Sequence, residues 1–91
     1  MKKQNKNIIK KRLWQILLKI SIGETKSYSE ISKEMGMGKQ TRYIAKLLKE
    51  NPYPISIPCH RVIYKNGKIG KYIYGSEFKK FLLEWERLFK N

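Results

Sequence analysis

All three prolines of this 91-residue chain fall close together, as Pro52, Pro54 and Pro58. Each ring fixes its own φ, removes a backbone donor and keeps the preceding residue out of the helical region, so no helix can run through the stretch. Residues 51 to 58 are therefore predicted to form a stiff, extended connector. It divides a helical N-terminal part from a C-terminal part that opens on Cys59 and His60, the only cysteine and the only histidine, side by side.

Upstream of the prolines the apolar pattern has a helical period. Ile9, Leu13, Ile16, Leu17 and Ile20 recur at three- and four-residue steps, predicting a helix from residue 7 to about 21, closed by Gly23. Ser27-Tyr28-Ser29-Glu30 is a capping box, in which hydroxyl and carboxylate each satisfy an orphan backbone donor. A short helix from 28 to about 35 should follow, burying Ile31 and Met35. Gly36-Met37-Gly38 interrupts the chain before a third helix, expected over 39 to 50, and this pair has the form of a helix-turn-helix unit. On the third helix Lys39, Arg42, Tyr43, Lys46 and Lys49 share one face and Ile44, Leu47 and Leu48 the other. That division suits a DNA-facing helix, and equally an ordinary amphipathic helix with a solvated lysine face.

Downstream, Val62 to Ile69 reads as a hairpin turning at Asn66-Gly67, since this dipeptide supplies the positive φ values of a tight primed turn. A tyrosine-containing loop spans 70 to 75. Ser76 is the expected cap of a last helix whose Phe78, Phe81, Leu82, Trp85 and Phe89 form a broad stripe for the core. The expected architecture is mainly α with a small β-hairpin. One domain should occupy residues 7 to 91 behind a basic tail at 1 to 6.

Twenty-one Lys and Arg against seven Asp and Glu give a net charge of +14, a field that attracts nucleic acid first. A basic ribosomal-type protein would show the same balance. One cysteine excludes an intramolecular disulfide, and with one histidine it cannot complete a four-ligand zinc site, so a free thiol in a reducing compartment and no metal or cofactor are expected. The basic first residues lead into no signal sequence, and no window is apolar enough to span a bilayer. A soluble, cytoplasmic monomer is the expectation.

A thiolate is the reactive form of cysteine, and an unperturbed thiol with a pKa near ~8.5 is only a few per cent ionised at neutral pH. A histidine can take the proton, a carboxylate such as Glu86 can orient that histidine, and the positive field should lower the thiol pKa further. In a regular strand Cys59 and His60 would point to opposite faces, so a relay between them needs irregular backbone or a bridging water. Taken alone, the two residues fit a buried structural cysteine and a histidine satisfied by a backbone carbonyl better than a reactive pair.

Ile57-Pro58-Cys59-His60-Arg61-Val62-Ile63 resembles the active-site motif of the O6-alkylguanine-DNA alkyltransferases, the methylated-DNA-protein-cysteine methyltransferases. Gly23-Glu24-Thr25-Lys26-Ser27-Tyr28 is similar to the family's segment before its helix-turn-helix, Thr41-Arg42 stands where its recognition helix begins, and Asn51-Pro52 precedes the active-site stretch. Gly67, Gly70, Tyr72, Gly75, Lys79, Leu82, Leu83 and Glu86 keep the family's spacing without a gap. The resemblance covers residue 9 to the C-terminus, matching the family's C-terminal active-site domain and not the additional N-terminal domain of many relatives.

The resemblance implies a winged helix-turn-helix-like fold and a suicide reaction. Cys59 would take the alkyl group from guanine O6 in double-stranded DNA and keep it, with His60 as base through a water and Glu86 orienting it. Tyr72 would hydrogen-bond the guanine ring nitrogen with Lys79 near its hydroxyl, and the backbone around Cys59, Val62 and Ile73 would read the base edge. Asn51 and Arg61 would support the pocket. Arg42 would fill the stack vacated by a flipped nucleotide, Tyr28 would crowd that nucleotide's phosphate, and Thr41, Lys39, Lys46 and Lys49 would bind the backbone. Tyr43 and Lys46 replace the small residues usual at the groove, implying shallower insertion. Tyr74 replaces a usual glycine, which should narrow the pocket and favour methyl over benzyl. The competing readings are a non-catalytic alkyltransferase-like sensor, whose relatives lack the cysteine, and a plain helix-turn-helix DNA-binding protein.

Overall fold

The computed structural model describes residues 6–89; the basic tail before Lys6 and the last two residues lie outside the described residues. The first helix, α1 (Lys6–Leu18), starts one residue inside the expected tail and buries Ile9, Leu13 and Leu17. Ile20, just beyond its end, is buried as well. Strand β1 (Lys26–Ser27) leads straight into α2 (Tyr28–Glu34). The capping box is present: the Glu30 amide donates to Ser27 Oγ and the Ser27 amide to Glu30 Oε1, both at 3.0 Å.

Helix α3 (Thr41–Leu48) is shorter than expected at both ends. Gln40 offers no side-chain cap, so Lys39 stays in the preceding turn, and Lys49 is the C-cap of a last turn tightened by three-residue bonds such as Glu50 N–H to the Leu47 carbonyl at 2.9 Å. The turn between α2 and α3 is pinned from inside. Fully buried Ser32 donates to the Gly38 carbonyl at 2.6 Å and accepts from the Gln40 amide at 2.9 Å. Ile44, Leu47 and Leu48 face the core as the pattern predicts, whereas Tyr43 packs half-buried against that core and leaves the cationic face.

Residues 51 to 58 are folded back, not extended. Buried Asn51 donates through Nδ2 to the Ile57 carbonyl at 2.8 Å and accepts from the Tyr53 amide at 2.9 Å. The Ile57 amide bonds the Tyr53 carbonyl at 2.8 Å, with Ile55 at φ 79° in the turn. Prolines restrict φ but leave ψ free to turn the chain, and the Asn51 amide supplies the hydrogen bonds that make it turn. A β-branched residue at positive φ is strained, so this turn holds because its partners over-determine it.

Cys59–Arg61 form one turn of 3₁₀ helix, followed by strand β2 (Val62–Ile63). The sheet is not a hairpin: β2 pairs in parallel with β1, Lys26 opposite Val62 and Ser27 opposite Ile63. The expected turn at Asn66-Gly67 exists, closed by Gly67 N–H to the Tyr64 carbonyl at 2.9 Å and Tyr64 N–H to the Lys68 carbonyl at 2.8 Å. Only Gly67 has positive φ there, so it is not the primed pair, and the chain beyond it forms no strand. The mainly helical class with a small two-stranded sheet and a helix-turn-helix stands; the strand partner differs.

Helix α4 (Ser76–Arg87) is capped by Gly75 at φ 97°, and Ser76 is its first residue. Its buried face carries Lys79, Leu82 and Glu86. The aromatic stripe expected in the core, Phe78, Phe81, Trp85 and Phe89, is exposed. Hydrophobicity loses here because Lys79 and Glu86 find partners inside that the rings cannot replace. Among the described residues no helix is long and apolar enough to cross a membrane.

Two glycines separate conformational from steric cost. A Cβ on Gly70 (φ 81°) would meet the Tyr64 ring at 2.9 Å and the Tyr28 hydroxyl at 3.1 Å, while one on Gly67 (φ 90°) would meet nothing. Gly67→Ala is expected to cost about 1 kcal/mol from the left-handed backbone alone, and Gly70→Ala about 1–3 kcal/mol more. Urea denaturation of both variants checks this; equal losses would show that the Gly70 contact is soft.

Candidate active site

Cys59 begins the 3₁₀ turn at the end of the folded-back proline segment, its amide bonding the Ile57 carbonyl at 2.7 Å. Three residues per turn set neighbouring side chains about 120° apart, not opposite as in a strand. Cys59 therefore lines a cleft of about 530 Å³ while His60 is wholly buried behind it. Tyr28, Arg42, Lys46, Tyr72 and Ile73 are other walls of that cleft. Its size suits a small-molecule or base-sized ligand.

Behind Cys59 a buried carboxylate joins three elements. Glu86 of α4 accepts from His60 Nε2 at 2.8 Å, and from Arg61 Nη2 at 2.8 Å and Nε at 3.0 Å. Arg61 also donates to the Ile20 carbonyl at 2.7 Å, fastening the end of α1 to the same cluster. Burial acts to raise the Glu86 pKa, but the hydrogen bonds and charges of Arg61 and His60 outweigh it and hold the carboxyl below its ordinary value. Burial pushes His60 below its ordinary value although Glu86 pulls upward. The pair at neutral pH is thus an ionised Glu86, balanced by Arg61, beside a neutral imidazole. A carboxylate only accepts, so Nε2 carries the hydrogen and Nδ1 keeps a lone pair. Nδ1 is buried and has no hydrogen-bond partner among the described residues.

The thiol is not acidified at rest. Burial raises the Cys59 pKa above its ordinary value, more than a hydrogen bond from Asn51 and the charge of Lys79 lower it. The field expected from the net charge loses because surface lysines are screened while desolvation of a buried thiolate is not. Lys79, fully buried, donates to the Tyr28 hydroxyl at 3.2 Å rather than sitting at that of Tyr72. Burial lowers its pKa to about 8, and burial also raises Tyr28 to about 12. Burial likewise pushes Tyr72 up, and its hydroxyl has no partner among the described residues.

The residues expected at the DNA face divide into two groups. Arg42, Lys46 and Lys49 are exposed on the cleft with Cys59. Lys39 and Thr41 line a second groove with Thr25, Ser29 and Lys65. Tyr28 is buried in the cleft wall, its ring 4.6 Å from that of Tyr64. Val62 belongs to the core and its backbone pairs with β1. Tyr74 packs its ring edge-on against Tyr72, a residue of the cleft wall, and against Phe78. The clamp from Arg61 to Ile20, the Ser32 pin and the Tyr64 contact were missed, since no periodicity or motif distinguishes a buried polar residue with a partner far along the chain.

Residues 9–88 match the family model described as 6-O-methylguanine DNA methyltransferase, DNA binding domain. A methylated-DNA–protein-cysteine methyltransferase of Methanosarcina acetivorans is 43% identical over 76 residues, which cover 84% of this chain and 49% of the relative. The inducible Bacillus subtilis methyltransferase of the same name is 40% identical over 82% of this chain and 42% of its own length. The chain thus spans about half the length of the curated relatives it matches. Among solved structures, Mycobacterium tuberculosis OGT in complex with DNA superposes with a TM-score of 0.86 at 37% identity, covering 94% of this chain and 52% of that one. S. pombe Atl1 in complex with damaged DNA containing O6-carboxymethylguanine gives a TM-score of 0.79 at 25% identity, over 91% of this chain and 79% of that one.

The electrostatics around the thiol are open to titration. Thiolate absorbance against pH should give a midpoint above the ordinary ~8.5 of a free thiol. A thiol already ionised at neutral pH would contradict this balance of burial and charge.

Proposed function

The chain belongs to the 6-O-methylguanine DNA methyltransferase family, and on that premise we propose that it repairs DNA directly, moving an alkyl group from guanine O6 in duplex DNA to Cys59 in a single turnover. The observation that carries this reading is the thiol of Cys59 on the cleft wall with a neutral, Glu86-held imidazole behind it. A histidine that is neutral at working pH can accept a proton; an imidazolium cannot.

The step balances within these residues. The Cys59 sulfur attacks the alkyl carbon, a C–S bond forms, and the C–O6 bond breaks with its electron pair leaving on the base. The thiol proton passes, through a bridging water, to His60 Nδ1. The departing guanine gains a proton at a ring nitrogen from a hydroxyl of the cleft. Tyr72 is one such donor, its buried hydroxyl without a partner among the described residues; Tyr28 is another, and Lys79 beside it can resupply the proton. The resting thiol stays protonated because of burial, so ionisation is coupled to substrate arrival. Nothing in the cleft removes a thioether, and the protein is consumed.

The target carbon is hidden in stacked DNA, so the nucleotide must be flipped, at a cost of a few kcal/mol that a poorly pairing lesion reduces. Arg42, exposed where it lines the cleft, would fill the vacated stack, and Lys46 and Lys49, exposed on the same cleft, would contact phosphates. Lys39 and Thr41 in the neighbouring groove would hold the backbone further along. Duplex affinity then falls steeply with salt.

Incubation with a duplex containing O6-methylguanine, followed by intact and peptide mass spectrometry, tests the reading. One added methylene on the Cys59 peptide is expected, with loss of transfer but retained lesion binding in Cys59→Ala. Tight lesion binding by the unmodified wild type with no mass gain would replace this reading with a non-catalytic lesion sensor.

A further inference from the structure

The outer face of α4 has no part in the alkyl-transfer chemistry. Phe78, Phe81, Trp85, Leu88 and Phe89 are 37, 56, 48, 76 and 51% exposed. Phe78, Phe81, Trp85 and Leu88 follow one another in steps of three or four residues, Phe89 stands four after Trp85, and the last two continue the stripe just past the helix end. Phe78 and Phe81 stack with ring centroids 6.2 Å apart and 14° between planes, and Trp85 meets Phe89 edge to face at 4.8 Å. With about 150–250 Å² for each aromatic side chain, the stripe exposes roughly 500 Å² of apolar surface. That is at the upper end of what a monomer leaves in water.

A row of charges runs along one flank of this stripe. Glu77, Lys80, Glu84 and Arg87 are exposed, again at steps of three and four, and among the described residues none of them makes an ion pair. Their signs alternate: minus, plus, minus, plus. In a parallel pair the two rows fall on opposite sides of the seam and do not meet. Laid antiparallel about a two-fold axis, the flank of each helix stays on the same side of the pair, and every anion meets a cation. The two exposed carboxylates also argue against nucleic acid as the occupant of this face.

We propose that α4 is a self-association surface, pairing antiparallel with α4 of a second copy. Phe81 then meets Trp85 of the second copy, Phe78 meets its Leu88, and Glu77 and Lys80 face its Arg87 and Glu84. Two stripes bury roughly 1,000 Å², the lower limit for a specific interface, so the dimer is weak and reversible. Its seam begins at the cleft, because Tyr72 stacks on Phe78 at 6.4 Å, and pairing braces that wall from outside.

Sedimentation equilibrium of the full chain, from low micromolar to sub-millimolar concentration, tests it. A monomer–dimer equilibrium is expected, weakened about tenfold by Lys80→Glu, which sets carboxylate against carboxylate twice per dimer. The double exchange Lys80→Glu with Glu84→Lys restores complementarity and should restore the dimer. A monomer throughout, association indifferent to Lys80→Glu, or failure of the double exchange to rescue it would overturn the proposal; circular dichroism verifies that each variant is folded.

Discussion

The site depends on one buried carboxylate. Glu86 accepts one hydrogen bond from His60 and two from Arg61, and Arg61 reaches on to the Ile20 carbonyl, so the 3₁₀ turn and α4 meet at a single charge that Arg61 links to the chain just beyond α1. Removing one partner of a buried ion pair typically costs about 3–5 kcal/mol. Against a total stability of roughly 5–15 kcal/mol for a domain, that is a large share. The group that orients His60 therefore also holds the small domain together. Its function cannot be separated cleanly from its fold.

That double duty explains the arrangement of α4. An amphipathic helix ordinarily turns its largest apolar side chains inward, yet here Lys79 and Glu86 are inside and four rings are outside. Burial of two ionisable groups is sustained because each has a partner: Tyr28 for Lys79, and His60 with Arg61 for Glu86. Burial lowers the Lys79 pKa to about 8 and raises that of the Cys59 thiol. One desolvated interior thus shifts a cation and a thiol in opposite directions, each toward its neutral form.

Much of this is legible in the sequence, but unevenly. The capping box at Ser27 and the apolar faces of α1 and α3 follow from local hydrogen bonding and period, and all three are found. The Cys59, His60 and Glu86 grouping rested on a resemblance, and the geometry joins His60 to Glu86 directly. What failed was decided at long range. The connector at 51 to 58 turns because of the Asn51 side chain, β2 chose β1 as partner over the chain beyond Gly67, and the exposed rings of α4 gave way to polar partners that periodicity does not see. The thiol pKa went up because burial, absent from any composition, outweighed a net charge that was visible at once.

The central claim is that Glu86 holds His60 as a neutral base with its free nitrogen at Nδ1. His60 is the only histidine, so nitrogen-15 labelling of histidine gives one unambiguous imidazole pair in an NMR titration. The account predicts the neutral tautomer protonated at Nε2 at pH 7, titrating below the ordinary value of about 6.5. A proton on Nδ1, or an imidazolium at neutral pH, would contradict it.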